Sequence, residues 1–433
     1  MTQGSISLDN RSLRLVLGPI AILVLAWAMI HSGRVAISRI FVKYGVTVLN
    51  TAPADAVAAI DTSIGMTPTD AEVHYTRGAL ANQMQDNTTA LKEFEQAVSL
   101  RPRDYYLWLE LALTRDRLGD QPGALSALNE SMRLAPYYAR PRWLRGNVLF
   151  RMGRYDEAFA DLRQATTSDP ELLPAFIDLA WGASRRDATL TEQLVQPQTD
   201  KAQSELALFF SNHGKPDEAI AHFRAIHAPT TEVRRNLIRQ LLSIGAIKQA
   251  FDVWSKNSGN SITTKASIFD GGFEGPLVLD ESGFGWRLAT PQPGVGFSLD
   301  SAQPQSGTRS LRISFSGHAN PAVELVSQLV LIEPGTHYKL NFAARTHGIV
   351  TGGPLVLIVK DANGQHVVAR SAQLPEDSGG WRTFGMEFAT GPATTAIVLS
   401  LQREECTTSP CPVFGTLNLD SFSLEQVNTN ASR

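Results

Sequence analysis

Residues 71–104 read AEVHYTRGALANQMQDNTTALKEFEQAVSLRPRD, and the same arrangement of residue types returns after 34 residues and again after 68. The prolines that end each unit share this period with three other sets of positions, which hold mainly small or apolar residues: Pro68, Pro102, Pro136, Pro170; Ala56, Ala90, Ala124, Ala158; Gly78, Ala112, Gly146, Ala180; and Ile60, Phe94, Leu128, Leu162. A period of this length predicts a solenoid of stacked units, which offers a surface for holding something and not a closed enzyme core.

Each unit is predicted to consist of two antiparallel helices and a turn. A small residue such as Gly78 lies where the first helix crosses the second, opposite an alanine such as Ala90, so that the two backbones approach closely. Proline has no backbone N–H and disfavours helix in the residue before it, so Pro102 marks the end of a second helix. This pattern resembles the tetratricopeptide repeat (TPR).

Three full TPR-like units are expected over 71–104, 105–138 and 139–172, although Ala112 and Ser131 replace the usual glycine and alanine of the middle unit. We predict helical repeats over the whole of 34–256, with 71–172 the clearest part. Residues 37–70 form a degenerate leading unit, in which the second helix, 55–66, is the only clear one. Two eroded units follow Pro170, marked by Ala219 with Phe223 and by Ala250 with Trp254, and the pair Gln196-Pro197 interrupts the series.

The resemblance implies a groove along the first helices of the repeats, in which a peptide or a partner helix binds. Side chains one turn apart on this inner face are the candidates for contact with a protein partner: Tyr75, Asn82, Trp143, Asn147 and Phe150. The alternative is that the aromatic rings among them cover a neighbouring helix of the array.

An uncharged apolar run, Leu15 to Ile30, predicts a membrane element near the N-terminus. After an N-terminal tail, 1–12, we expect a single transmembrane anchor over 13–33, with an apolar run slightly shorter than the roughly 20 residues of a typical span. The alternative is a cleaved signal peptide with Ala26-Trp27-Ala28 as its cleavage site. Arginines stand on both sides of the run, so charge does not decide the orientation.

The two cysteines of the chain, Cys406 and Cys411, are separated by only four residues. A disulfide between them suits an oxidising compartment, whereas two unpaired thiols remain the alternative. We therefore predict a single-pass protein of the cell inner membrane with most of its chain on the extracytoplasmic, periplasmic side. Two cysteines by themselves do not make a structural zinc site.

After a polar linker, 257–266, the helical period disappears, and residues 267–427 show short alternating runs separated by turn residues. Asp361-Ala362-Asn363-Gly364 predicts a tight hairpin, because Asn-Gly supplies the backbone angles that such a turn needs. About nine or ten strands in this length predict an antiparallel β-sandwich of the jelly-roll kind, followed by a short tail, 428–433. The fold class is therefore α and β in separate domains behind an apolar helix.

The sandwich resembles carbohydrate-binding modules of the galactose-binding-like jelly-roll kind. The resemblance lies in the order of five motifs: Phe269 to Glu274, Phe284-Gly285-Trp286, Ser306 to Leu311, Gly380-Trp381 with Phe384 and Phe388, and Leu419 to Leu424. It implies a possible structural calcium ion held by Glu274 and Asp420, whose oxygens are hard ligands. The alternative is that both carboxylates cap strand ends.

Sugar binding requires aromatic faces and planar polar groups. The candidates for glycan contact are Trp286, Arg345, Arg403 and Phe414. Trp286 is alternatively a core residue, and the two arginines are alternatively solvated charges at strand ends.

Composition and missing motifs exclude several function classes. The formal net charge of -3 gives no basic surface for nucleic acid. The sequence has no His-Glu-x-x-His, Gly-x-Ser-x-Gly or phosphate-binding loop, so no catalytic residue and no certain cofactor is predicted.

The sequence thus predicts a membrane-anchored, non-catalytic adaptor with a protein partner in the repeats, and it makes a polysaccharide the candidate partner of the sandwich. This architecture is similar to that of accessory proteins of bacterial surface-polysaccharide (exopolysaccharide) assembly or export. The alternatives are a glycan-active enzyme with its site in the sandwich, and a general assembly chaperone whose sandwich is only structural.

Overall fold

The computed structural model describes residues 11–256, 266–278, 281–290, 292–317, 320, 323–364, 366–406 and 410–427. Its helices are α1 (Arg11–Val48), α2 (Pro53–Met66), α3 (Ala71–Gln83), α4 (Asn87–Leu100), α5 (Tyr105–Arg117), α6 (Gln121–Leu134), α7 (Ala139–Arg151), α8 (Tyr155–Ser168), α9 (Leu173–Ala183), α10 (Ala188–Val195), α11 (Asp200–Asn212), α12 (Pro216–Ala225), α13 (Thr231–Ser243) and α14 (Ile247–Ser255). Most of the predicted linker and N-terminal tail, and the whole predicted C-terminal tail, lie outside the described residues.

The strands follow the helices along the chain. They are β1 (Arg287–Leu288), β2 (Val295–Asp300), β3 (Ser310–Ser316), β4 (Val326–Leu331), β5 (His337–Thr351), β6 (Leu355–Asp361), β7 (Val367–Arg370), β8 (Arg382–Ala389), β9 (Ala396–Arg403) and β10 (Val413–Gln426). The predicted fold class, a helical repeat region followed by an antiparallel sandwich and preceded by a long apolar helix, is confirmed.

Close helix crossings account for the small residues of the 34-residue period. A methyl group added at Gly78 would lie 2.9 Å from the Phe94 ring, and one at Gly146 would lie 2.8 Å from the Leu162 side chain. The alanines of the facing helices, such as Ala90 and Ala158, are completely buried. Small residues therefore recur every 34 residues because each repeat has a close crossing between its two helices.

A second feature of the period is a hydrogen bond that begins each unit. The side chain six residues after the proline donates to the proline carbonyl: Trp108 Nε1 to Pro102 O (2.9 Å), Arg142 Nη2 to Pro136 O (3.0 Å) and His74 Nε2 to Pro68 O (3.0 Å). Gln203 Nε2 makes the same contact with Pro197 O at 3.2 Å. Pro197 therefore starts another repeat, α11–α12, and does not merely interrupt the series.

The leading repeat takes its first helix from α1. This helix has 38 residues, and its C-terminal part packs on α2. Ser38 is buried there, with its hydroxyl 2.5 Å from that of Ser63, and a methyl group at Gly45 would lie 2.8 Å from Ile60. The apolar segment and the first repeat helix are thus one continuous helix.

The described chain forms two compact units, 1–196 and 197–433. The first unit contains α1 to α10, in which α9 and α10 have only 11 and 8 residues, whereas the helices of the preceding repeat have 13 and 14. These short helices explain why the sequence period slips after Pro170.

The second unit contains α11 to α14 and the sandwich. Trp254 of α14 packs against Phe269 and Phe284, and its indole Nε1 donates to Glu281 Oε1 at 3.2 Å. Gly283 is needed at this contact because a methyl group there would lie 2.1 Å from the Trp254 ring. The last helix pair is therefore packed into the base of the sandwich.

The sandwich has two five-stranded antiparallel sheets, ordered β1-β4-β9-β6-β7 and β2-β3-β10-β5-β8. β10 lies in the middle of the second sheet, with Leu417 opposite Ile313 of β3 on one side. Inward residues of both sheets, such as Leu417 and Leu399, are fully buried in one core. The predicted turn after β6 is present, and Asp361 Oδ1 accepts the backbone N–H groups of Asn363 and Gly364.

Candidate functional site

The predicted partner groove runs along α3, α5 and α7. Asn82 of α3 donates to the Thr114 hydroxyl of α5 at 3.2 Å, and Asn147 of α7 donates to the carbonyl of Trp143 at 2.8 Å. Between α5 and α7 lies a shallow cavity of about 190 Å³, lined by Ala112, Leu113, Asp116, Leu128, Leu144, Asn147, Val148 and Arg151. Of the five predicted groove residues, the cavity lining includes only Asn147.

The aromatic candidates pack within the array. Tyr75 lies 5.9 Å from Tyr106 and 6.0 Å from Phe94, measured between ring centres, and burial followed by the hydrogen bond with Tyr106 raises the pKa of Tyr75. Phe150 lies 5.2 Å from Tyr155. These rings cover neighbouring helices, which is the alternative that the sequence left open for them. Trp143 is half-buried.

An ion pair that sequence reasoning missed closes the edge of this cavity. Arg151 Nη2 lies 2.5 Å from Asp116 Oδ2, so the pair links α7 to α5 across one repeat. Both side chains keep some exposure, 47% for Arg151 and 24% for Asp116. Their separation of 35 residues, close to the period, was the available signal. The cavity therefore combines apolar walls with a polar amide and a partly exposed ion pair.

The outward side of the sheet β2-β3-β10-β5-β8, the outer sheet face, carries a second cluster. The guanidinium carbon of Arg345 lies 5.1 Å from the centre of the Trp381 ring, and Arg345 also donates to the carbonyls of Ala302 and Gln303. Trp381 Nε1 donates to the same Gln303 carbonyl at 2.9 Å. The arginine and the ring are thus held against one turn.

Asp300 supplies the negative charge of this cluster. It accepts from Asn418 Nδ2 at 3.0 Å and lies 3.6 Å from Arg312 and 3.9 Å from Arg345. The backbone N–H of Ala302, followed by Asn418 and the two arginines, lowers the pKa of Asp300. The outer sheet face therefore offers planar cations and a carboxylate beside an aromatic ring.

Phe414 lies on the same face, near the start of β10. It pairs with Val350 of β5, and the two side chains are 46% and 62% exposed. Asn418 follows four residues later on the same strand, which corresponds to about 13 Å. The structure thus brings two of the four predicted glycan residues, Arg345 and Phe414, onto one face of one sheet.

The other two glycan candidates lie in the interior. Trp286 is 8% exposed, packs between Phe273 and Phe422, and donates from Nε1 to the Asp270 carbonyl at 2.9 Å. It therefore has no open ring face for a sugar. This is the core position that the sequence analysis gave as the alternative for Trp286.

Arg403 organises the loop that the cysteines close. Cys406 and Cys411 are joined by a disulfide. Arg403 is 5% exposed and donates from Nη2 to the Thr351 hydroxyl (2.8 Å) and to the Cys411 carbonyl (2.9 Å). Burial lowers the pKa of Arg403. These contacts indicate that Arg403 stabilises the protein around the disulfide, and its burial prevents contact with a glycan.

The two carboxylates predicted to hold calcium are close together. A methyl group at Gly272 would lie 3.7 Å from Asp420 Oδ1 and 3.8 Å from Glu274 Cγ. Glu274 accepts the N–H groups of Thr308 (2.7 Å) and Arg309 (3.2 Å), and the hydroxyl and the N–H of Thr308 lower its pKa. The two residues thus lie near one another, as the resemblance stated above implies.

Asp420 is fully buried and accepts the N–H groups of Gln305 (2.9 Å) and Ser306 (3.1 Å). Such donors present positive ends to the carboxylate oxygens, so the observed arrangement does not fit a calcium ion, which needs those oxygens and further oxygen ligands. Within the described ranges no three acidic, histidine or cysteine side chains are grouped to hold a metal. The geometry is that of two clamps on the loop 305–309.

Two family models of the tetratricopeptide repeat match the chain, over residues 75–139 and 139–172. The predicted TPR units are therefore confirmed in this region. No curated protein matches the chain.

Solved structures of MamA are similar to the chain at low identity. MamA 41-end from Desulfovibrio magneticus RS-1 is 16% identical with a TM-score of 0.33, and 44% of this chain aligns with 97% of that one. The MamA RS-1 ArsTM double mutant is 15% identical with a TM-score of 0.34 and the same two coverages. MamA AMB-1 is 18% identical with a TM-score of 0.29, covering 31% of this chain and 73% of that one.

Proposed function

We propose that this chain is a membrane-anchored, non-catalytic adaptor whose repeats hold a protein partner. The observation that carries the proposal is the cavity between α5 and α7, in a region that matches the TPR models, with Asn147 in its wall and the Asp116–Arg151 pair at its edge. Apolar walls beside an amide and an ion pair suit an extended or helical segment of a partner that carries apolar and charged side chains.

The anchor is the N-terminal half of α1. One described helix, Leu17–Val48, is long and apolar enough to cross a membrane, and none of its most apolar window is buried inside the protein. A signal sequence passes the same test. The anchor is favoured because α1 continues without a break into the leading repeat. The disulfide supports an extracytoplasmic, periplasmic position for the rest of the chain.

The sandwich is proposed to hold a glycan on the outer sheet face, with Arg345, Trp381 and Phe414 in contact. Planar cations and exposed rings recognise the hydroxyl groups and the apolar face of a sugar. An anchored adaptor that touches both a protein and a glycan suits surface-polysaccharide assembly or export. This last step rests on architecture and not on chemistry.

Site-specific photocrosslinking in the full-length protein tests the groove. A photoreactive side chain at Asn147 is expected to capture one defined partner, and the Asp116→Lys variant, which places like charges together at the cavity edge, should lose this product. The matched control carries the photoreactive side chain at Glu157, an exposed residue of α8 outside the cavity lining. Equal capture at both positions, or capture of many unrelated proteins, would favour the chaperone alternative.

A glycan panel tests the sandwich in the same preparation. Retention of a glycan that the Arg345→Ala variant loses would support a binding module. Release of shortened products would instead support the enzyme alternative.

A further inference from the structure

The extramembrane part of α1 exposes an apolar stripe. Ile37, Ile40 and Tyr44 are 47%, 67% and 50% exposed, although they lie beyond the apolar run that ends at Ile30. Residues three and four apart share one face of a helix. Ile30, Gly33, Ile37, Ile40 and Tyr44 follow one another at these spacings and are called the α1 stripe below.

The stripe does not face the repeat that α1 begins. Ser38 and Gly45 face α2, and each follows a stripe residue by one position, which rotates it by about 100° around the helix. Arg39 forms an ion pair with Asp70 at 3.0 Å on the repeat side, so this part of α1 lies beside polar protein on that side. The stripe is therefore an apolar surface that the leading repeat leaves uncovered.

The same spacing continues into the membrane segment. Leu23, Ile30, Ile37 and Tyr44 are seven residues apart, and Ala26, Gly33 and Ile40 repeat at the same interval between them. A seven-residue apolar repeat is the pattern of paired helices, and small residues such as Ala26 and Gly33 allow close approach in lipid. A helix that also lies in the membrane would therefore continue the contact with the stripe along the apolar segment of α1.

We propose that α1 pairs with α1 of a second copy of this chain along the α1 stripe. The pairing rests on the proposed membrane anchor, because insertion gives two copies the same direction and the same depth. Ile37 then meets Ile37, as a two-fold symmetric interface requires.

The charges near the stripe agree with self-pairing. Arg34 donates to the Met66 carbonyl at 2.8 Å and Arg39 binds Asp70, so both cations are held on the repeat side. Lys43 lies at the edge of the stripe, rotated by about 60° from Ile40 and by about 100° from Tyr44. Two copies that meet along the stripe therefore bring apolar side chains together and leave Lys43 at the rim of the contact. The pair joins two repeat grooves, which raises the avidity for a partner with two binding segments.

Cysteine crosslinking of the full-length protein in native membranes tests the pairing. The two native cysteines are bonded to each other, so an introduced cysteine is the only free thiol. Ile37→Cys, Ile40→Cys and Tyr44→Cys are expected to give a disulfide-linked dimer on oxidation. Val46→Cys, exposed on the same helix but on the side away from the stripe, should lose this product.

A carbonate wash of the same membranes separates this proposal from the anchor. Protein that stays in the membrane but crosslinks equally at stripe and control positions, or joins a different protein at the stripe, overturns self-pairing and leaves the anchor. Release of the protein by the wash overturns both.

A charge variant gives a second measurement. The double variant Ile37→Glu with Ile40→Glu is expected to lose the dimer in mild detergent, as measured by light scattering, whereas Val46→Glu should keep it. An unchanged mass for the double variant would contradict the interface.

Discussion

Single carboxylate side chains, Glu274 and Asp420, hold distant parts of the sandwich sequence together. Asp420 stands on β10 and Glu274 in the opening turn, yet both bind N–H groups of the loop 305–309. Gly271 completes the junction, because a methyl group there would lie 2.2 Å from the Phe422 carbonyl oxygen. The motif from Phe269 to Glu274 therefore joins the beginning, the middle and the end of the sandwich sequence.

The Asp420→Asn variant tests these clamps. Its amide keeps the shape but turns an N–H₂ group or a weaker acceptor towards the donors of Gln305 and Ser306, which should destabilise the sandwich by about 1–3 kcal/mol. Thermal unfolding of the full chain measures the effect, with Glu425→Gln, an exposed position on the same strand, as the control. We expect the loss to be the same with calcium and with a chelator. A calcium-dependent rise in Tm that Asp420→Asn removes would instead establish the ion that the sequence predicts.

Residue roles were predictable where they depend on backbone motifs and not where they depend on burial. Glu274 and Asp420 were expected at one site because the resemblance to carbohydrate-binding modules implies it. The burial of Trp286 and Arg403 follows from tertiary contacts with Phe422 and with the disulfide loop. A single sequence carries no signal for such contacts.

At the scale of elements, the helix crossing is the feature that the sequence describes best. Gly146 of α7 packs on α8, where an added methyl group would lie 3.1 Å from the Ala158 carbonyl oxygen as well as against Leu162. The backbone atom cannot move aside as a flexible side chain would. The small residues therefore recur at the 34-residue period because each unit repeats this close crossing.

The Gly146→Leu variant is expected to force α7 and α8 apart. Overpacking costs about 1–3 kcal/mol, and the damage should spread to adjacent repeats because each unit depends on its neighbours. Hydrogen exchange of the full chain measures both effects, as lost protection within 105–172.

The matched control is Gly182→Leu. Gly182 is an exposed position of α9 with nothing within 4 Å of an added methyl group. Leucine favours helix over glycine by up to about 1 kcal/mol, so this variant should keep or gain stability. Equal protection in both variants would show that the crossing is not at Gly146.

Elements at the ends of the array were harder to predict, for physical reasons. The first helix of the leading repeat merges with the apolar run, so its amphipathic pattern is masked by the apolar residues that precede it. The short helices α9 and α10 break the period, although Gln203 and Pro197 restore the unit-starting contact afterwards. Pattern matching at a fixed spacing cannot follow such a change in length.

At the scale of the whole molecule, composition and packing divide the chain at different places. The sequence changes from helical to strand patterns in 257–266, whereas the compact units divide at Gln196. Trp254 accounts for the difference, because its contacts with Phe269 and Phe284 tie the last helices to the sandwich. Such a tie is invisible in composition.

The orientation of the whole chain is the last prediction. Arg403 donates to the Thr351 hydroxyl and to the Cys411 carbonyl beside the disulfide, and a disulfide favours an oxidising compartment, which agrees with the proposed periplasmic position. A reporter that is active only in the periplasm, fused after Arg433, should therefore be active in cells. The same fusion with a cytoplasm-only reporter should be silent.

Two further readouts sharpen this test. Without a reductant, a thiol reagent should label neither cysteine of the native protein, whereas labelling of both with an active cytoplasmic reporter would place the sandwich on the other side. N-terminal sequencing of the mature chain separates the two roles of α1. A first residue at Met29 would keep the compartment and every residue of the α1 stripe but remove the anchor, whereas an intact N-terminus would keep the anchor as well.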